Sequence, residues 1–246
     1  MTSLTWRTII IGWTLALEDN IGKERLLSAS IAIFRKDWKS GLRTRYAISA
    51  LVMFVITTIS IILFSLGSEG ASLSALSGML WVAVFFAAMS GLSRTFVTEE
   101  ERGTSMTLQL LASPTAVLFG KLLFNLILVI LLNAFVVLLY SIFISEFIIK
   151  TWSIFVVTVA LGSIGFAAAA TIIAAIIARA NTKGTLYPVL AFPILLPLLL
   201  TVINGTRLAT EGAYFDEALG EFNILISYIV AVVAVSYILF DYVWKD

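Results

Sequence analysis

Histidine and cysteine are both missing from this 246-residue chain. Without cysteine there is no disulfide frame, thiolate metal site or cysteine nucleophile. Without histidine there is no imidazole base to activate a serine and no H-E-x-x-H zinc motif. Charge is scarce as well: Asp, Glu, Lys and Arg make up 13% of the residues, where soluble domains carry about 25%. The mean hydropathy is +1.04 and 60% of the residues are hydrophobic, so the chain needs lipid around it. A net charge of +1 gives no electrostatic case for a nucleic-acid partner.

The remaining catalytic patterns fail one by one. Gly162-Ser163-Ile164-Gly165 superficially matches the serine setting of an intramembrane protease, but no base exists, and small residues at this spacing let helices approach closely. No Asp or Glu lies well inside an apolar segment, which excludes an aspartyl pair. Gly120-Lys121 precedes an apolar run, yet Thr115 stands where a P-loop requires glycine. The residues therefore offer no catalytic or metal site, and ATP-derived work has to come from another polypeptide.

What is present is a set of six apolar segments, near 47–66, 73–93, 122–144, 152–178, 186–204 and 222–240, each about the length a bilayer core requires. The fold class is an all-α membrane protein with six transmembrane helices. Gly67, Ser68 and Gly70 surround Glu69 in the shortest loop, a tight turn that makes the first two spans an antiparallel hairpin. With six spans, fourteen of the sixteen Lys and Arg residues fall on the side that holds both termini, leaving Lys150 and Arg207 opposite. Basic residues favour the cytoplasmic side, so both termini are expected there, in the inner membrane. Asp216, Glu217 and Glu221, with Arg207 and Glu211, mark the outward loop 205–221 as a solvated cap or else a docking surface for a periplasmic partner.

Ahead of the first span, residues 1–27 read as an N-terminal extension; its apolar run at 8–17 is too short to span and lacks a cleavage site. Residues 28–246 read as one membrane domain. Within it, 28–46 is an amphipathic elbow helix, with Ile31, Phe34, Trp38 and Leu42 on one stripe and Arg35, Lys36, Lys39 and Arg43 elsewhere. Such a basic helix lies at the membrane surface, drawn by anionic lipid.

The cytoplasmic loop 94–121 is the longest link between spans on its side. Glu99, Glu100 and Glu101 precede Gly103, and Thr104 stands where it can cap a short helix over 105–112. Met106, Leu108, Leu110 and Leu111 give that helix an apolar surface, and Pro114 stops it. The carboxylates are expected beside its positive N-terminus, with a chain break near them. A short apolar-faced helix held to two spans suits docking into a groove.

The run E-E-R-G-T…L-x-x-L-x-x-P, with Glu100, Glu101, Gly103, Thr104, Leu108, Leu111 and Pro114, resembles the loop of ABC-2-type exporter permeases. More narrowly, the chain from about Ser28 onward resembles the cytochrome c maturation protein B (haem exporter protein B) family. Trp81, Leu92-Ser93-Arg94-Thr95-Phe96, Phe119-Gly120-Lys121 with Asn125, and 186–200 after Ala178-Arg179 carry that likeness; residues 1–27 depart from it. The resemblance implies that those seven loop residues couple to a cytoplasmic ABC ATPase. It also implies a haem-handling membrane subunit and a periplasmic haem chaperone as partners, besides membrane lipid. No cofactor is expected to be bound directly, since His and Cys, the usual axial ligands of haem iron, are missing; haem is the handled ligand. An exporter of a drug or lipid, or a scaffold without a transport cycle, are the other readings.

Inside the spans, Asn125 and Asn133 are expected to hydrogen-bond neighbouring helices. Pro188, Pro193 and Pro197 each remove a backbone donor, so the fifth span is expected to be kinked or broken and is a candidate gate.

Overall fold

The computed structural model describes residues 24–245 apart from 42–44, 67–69, 93, 102 and 180–185. The reading of 1–27 as an extension therefore lies largely outside the described residues, as does half of the 67–72 turn. All regular structure among the described residues is helical. The elements are α1 (24–41), α2 (Arg45–Leu66), α3 (Leu73–Leu92), α4 (Arg94–Glu101), α5 (Ser105–Leu111), α6 (Pro114–Phe143), α7 (Trp152–Arg179), α8 (Leu186–Glu211), a 3₁₀ turn (Phe215–Ala218) and α9 (Leu219–Lys245). Six helices are long and apolar enough to cross a membrane, and the chain is a multi-pass membrane protein.

The span helices are apolar on every side, so the sequence pattern alone says little about which face is inside. Shape decides it. The central helix is α7, most of whose apolar window is buried, whereas those of α2 and α9 are mostly exposed. Its alanine-rich half, Phe166–Ala170 and Ala174, Ala175 and Ala178, is buried against α6, α8 and α9. A Cβ on Gly162 would lie 2.9 Å from both Trp81 and Val202, and one on Gly165 would lie 2.7 Å from Leu198. The Gly-x-x-Gly pair is therefore a packing device that lets α3, α8 and α9 close on α7.

Polar side chains inside the bundle find partners on neighbouring helices, as they must in lipid. Asn125 donates to Thr171 Oγ1 (2.8 Å) and Asn133 to Ser163 Oγ (2.7 Å), tying α6 to α7. Trp81 Nε1 donates to Thr206 Oγ1 (2.8 Å), tying α3 to α8.

Several expectations are corrected. The helix that carries the third apolar segment starts at Pro114, ahead of 122: Lys121 is neutralised by partners and the helix runs through it. The fifth helix continues past 204 to Glu211, because Arg207 bonds Asn204 and Glu211 along the same helix and Gly205 packs against Thr158. The outward cap is accordingly shorter than 205–221. Nor is α8 broken: it is helical through Pro193 and Pro197, with Pro188 near its start. Hydroxyls of Thr201 and Tyr228 donate to the carbonyls of Pro197 (2.8 Å) and Ile194 (2.9 Å), adding donors beside the prolines.

Candidate coupling site

Both ends of the described chain meet at one end of the bundle, where α1, α4, α5, the start of α6 and the end of α9 converge. The segment between α3 and α6 is built from two strong local signals. Gly103 has φ +64, a conformation costly for residues with a Cβ. Its N–H donates to Glu100 O (3.1 Å) and that of Thr104 to Glu99 O (3.0 Å), the paired bonds of a Schellman ending for α4. Downstream, Ala112 and Ser113 are extended, Ser113 Oγ accepts from Ala116 N (3.3 Å), and Pro114 opens α6. Pro114 thus stops α5 and starts the next helix, since proline tolerates the first turn but restricts the residue before it.

The carboxylates sit differently from expectation. Glu99, Glu100 and Glu101 form the last turn of α4, where they oppose the helix dipole. Two lysines offset this. Lys121 Nζ, with a side chain 1% exposed, lies 3.0 Å from Glu99 Oε1, 3.0 Å from Asp37 Oδ2 and 2.8 Å from Thr95 O. Lys36 also bonds Glu99 Oε1. The ammonium of Lys121 stands 5.3 Å from the centre of the Phe96 ring, a further favourable contact for a cation.

Thr104 occupies the N-cap position of α5 but makes no side-chain cap bond. Its hydroxyl instead donates to Glu99 Oε2 (2.6 Å), because its own backbone is helical (φ −94, ψ −5) and the side chain turns back. On α5, Met106, Leu110 and Leu111 are 74, 86 and 79% exposed. Leu108 instead packs inward against the core, so the outward apolar face is Met106–Leu110–Leu111. At its far end, Gln109 Nε2 donates to the Trp244 carbonyl of α9, and the Trp244 ring packs against Phe96 and Phe240.

The helix α1 begins before 28, since Glu24 and Arg25 extend a helix without adding to its apolar stripe. Its buried face is Ser30, Ile33 and Asp37. The predicted stripe is displaced: Ile31 is exposed, while Phe34 and Trp38 are half-buried and pair with each other. Leu42 lies outside the described residues. Arg35, Lys36 and Lys39 are exposed. A Cβ on Gly120 would lie 2.8 Å from Ser30 O and from Ile33 Cβ, so only glycine permits α1 to cross α6 this closely.

Residues 28–241 match the family model described as CcmB protein. The chain belongs to the CcmB family, the haem exporter protein B family. No curated protein matches it significantly. CcmB membership makes the chain a membrane subunit of the haem export system in cytochrome c maturation, a system that includes an ABC ATPase.

Of the loop residues read from the sequence, Glu100, Gly103, Thr104 and Pro114 build the turns around α5, Glu101 is exposed, and only Leu111 of the two leucines faces outward. Pro188, Pro193 and Pro197 are in α8, outside the elements that build this cluster. Sequence reading missed Asp37, Gln109 and Trp244, and gave Lys121 a place in a family motif but no partner. Asp37 had one legible signal: it is an acid among Arg35, Lys36 and Lys39, four residues after Ile33.

Proposed function

We propose that this chain is the permease subunit of an ABC-type complex of the inner membrane, with α5 as the helix that docks into a cytoplasmic ATPase. ATP hydrolysis on that separate subunit drives haem export, or release of the haem-loaded periplasmic chaperone, with a haem-handling membrane subunit alongside. The observation that carries this reading is the face Met106–Leu110–Leu111, exposed on a short helix that is anchored at both ends. Helix-in-groove docking needs such anchors at i and i+4, and each apolar side chain buried in the groove contributes roughly 1.5–3 kcal/mol. The charge bias puts this face and both termini in the cytoplasm. Haem is handled without His or Cys ligation from this chain. In the same reading α8 is the helix that yields during the cycle, since Pro193 and Pro197 remove two of its backbone bonds.

The double variant Met106→Asp/Leu110→Asp tests the docking face without touching a span or an inward-facing residue. It should insert normally and lose co-purification with the co-expressed ATPase. Wild-type recovery of the ATPase would refute α5 as the docking helix.

A further inference from the structure

No residue of α5 is fully buried. A seven-residue helix so lightly packed has no fixed attitude of its own, and its place depends on what holds its ends. Leu108 and Ala112 rest against the core; beyond them, the holding bonds are Thr104 to Glu99 at the start and Gln109 to Trp244 at the end. Glu99 is held in turn by Lys121, and Lys121 by Asp37 of α1. Asp37 is 7% exposed and is the one charged residue on the buried face of α1.

An apolar side chain at any of these three positions would avoid the cost of burying charge. What a buried ionic group adds is directionality: its bonds are satisfied in one arrangement only. Lys121 directs two hydrogen bonds to α4, at Thr95 O and Glu99 Oε1, and stands in ion-pair contact with Asp37 Oδ2 of α1 at 3.0 Å, while Glu99 directs its two oxygens to different elements, Oε1 to the lysines and Oε2 to Thr104. The close crossing at Gly120 sets α1 against α6 immediately beside this cluster.

We propose that Asp37, Lys121 and Glu99 are positioning residues that transmit the seating of the membrane-surface helix α1 to the docking helix α5. ATPase engagement then depends on α1 through the side chains Asp37–Lys121–Glu99–Thr104, with Lys36 of α1 joining at Glu99, although α1 carries none of the docking face. This rests on the reading of α5 as the ATPase-docking helix. The exposed faces of α1, with Ile31, Arg35 and Lys39 outward, make it responsive to the membrane surface, so lipid contact and ATPase contact share one rigid linkage.

The test uses the full-length protein and reads amide hydrogen exchange as well as ATPase co-purification. Asp37→Asn removes one of the two contacts of α1 with the cluster, leaves the other through Lys36 and keeps the Lys121–Glu99 pair charge-matched. The triple variant Asp37→Asn/Glu99→Gln/Lys121→Met leaves no buried unpaired charge, since Lys36, which loses both carboxylate partners, is half-exposed, so it isolates positioning from the penalty of an orphaned buried ion. Both should keep the amides of 162–178 in α7 as protected as in the wild type. Amides of 105–112 should exchange roughly tenfold faster in the triple variant, and less markedly so in Asp37→Asn, as expected when an anchoring bond is lost. ATPase co-purification should fall in the same order. Unchanged protection of 105–112 in both variants would overturn the proposal. Loss of protection throughout α7 would do so too, because it would make the cluster a general stabiliser. Met106→Asp/Leu110→Asp separates the two readings: it should abolish ATPase binding with 105–112 still protected, and normal binding by it would remove the docking reading while leaving the exchange result on the linkage standing.

Discussion

Arg207 pairs with Glu211 one turn along the same helix at 2.9 Å, and both side chains remain a third or more exposed. Lys121, at the opposite end of the bundle, is almost completely buried and meets carboxylates from two other helices. The chemistry is the same; the consequences differ. An exposed pair within one helix gains little, because water already solvates both ions. It decorates a helix that other contacts have placed. A buried ammonium cannot fall back on water, so its neighbours have to arrive in the right positions for the fold to form at all. The inner cluster therefore dictates how α1, α4 and α6 meet, whereas the outer pair only lengthens α8.

Three substitutions put that contrast to the test. Lys121→Met alone should have the largest effect, lowering stability by about 3–5 kcal/mol, since it leaves two buried carboxylates, Asp37 and Glu99, to share the half-exposed Lys36; thermal unfolding in detergent measures it. A small effect would mean that water reaches the cluster and that the two ends are alike. Gly120→Ala comes next, at about 1–3 kcal/mol, because the added Cβ meets the Ser30 carbonyl and must displace α1. Faster proteolysis or exchange confined to α1 would locate the damage there. Arg207→Gln should cost least, about 0.3–0.5 kcal/mol, and the loss should shrink further in high salt. A loss matching that of Lys121→Met would erase the distinction between the ends.

Much of the architecture is legible without coordinates. Lipid solvation forces long apolar runs into helices, which is why six segments and an all-α membrane fold follow from hydropathy. The partners of Asn125 and Asn133 lie on a neighbouring helix for the same reason. Local chemistry is legible too: Gly103 and Pro114 bracket a short helix because positive φ and a missing donor act on the backbone wherever the chain goes. The helices overrun the apolar segments where a charge had marked an end: Lys121 lies within α6 and Arg207 within α8, because an ion bonded to protein partners does not stop a helix.

Composition and periodicity by themselves determined the class, the number of spans, the bias of basic residues to one side and the presence of a short apolar helix between the second and third spans. Tertiary structure alone decided that Leu108 turns inward while Met106, Leu110 and Leu111 face out, and that Asp37, Glu99 and Lys121 from three helices form one cluster. The physical reason is range. Backbone preference and transfer into lipid act on residues close together in the chain, whereas the pairing of Asp37 with Lys121 depends on two helices crossing at Gly120, which no local pattern specifies.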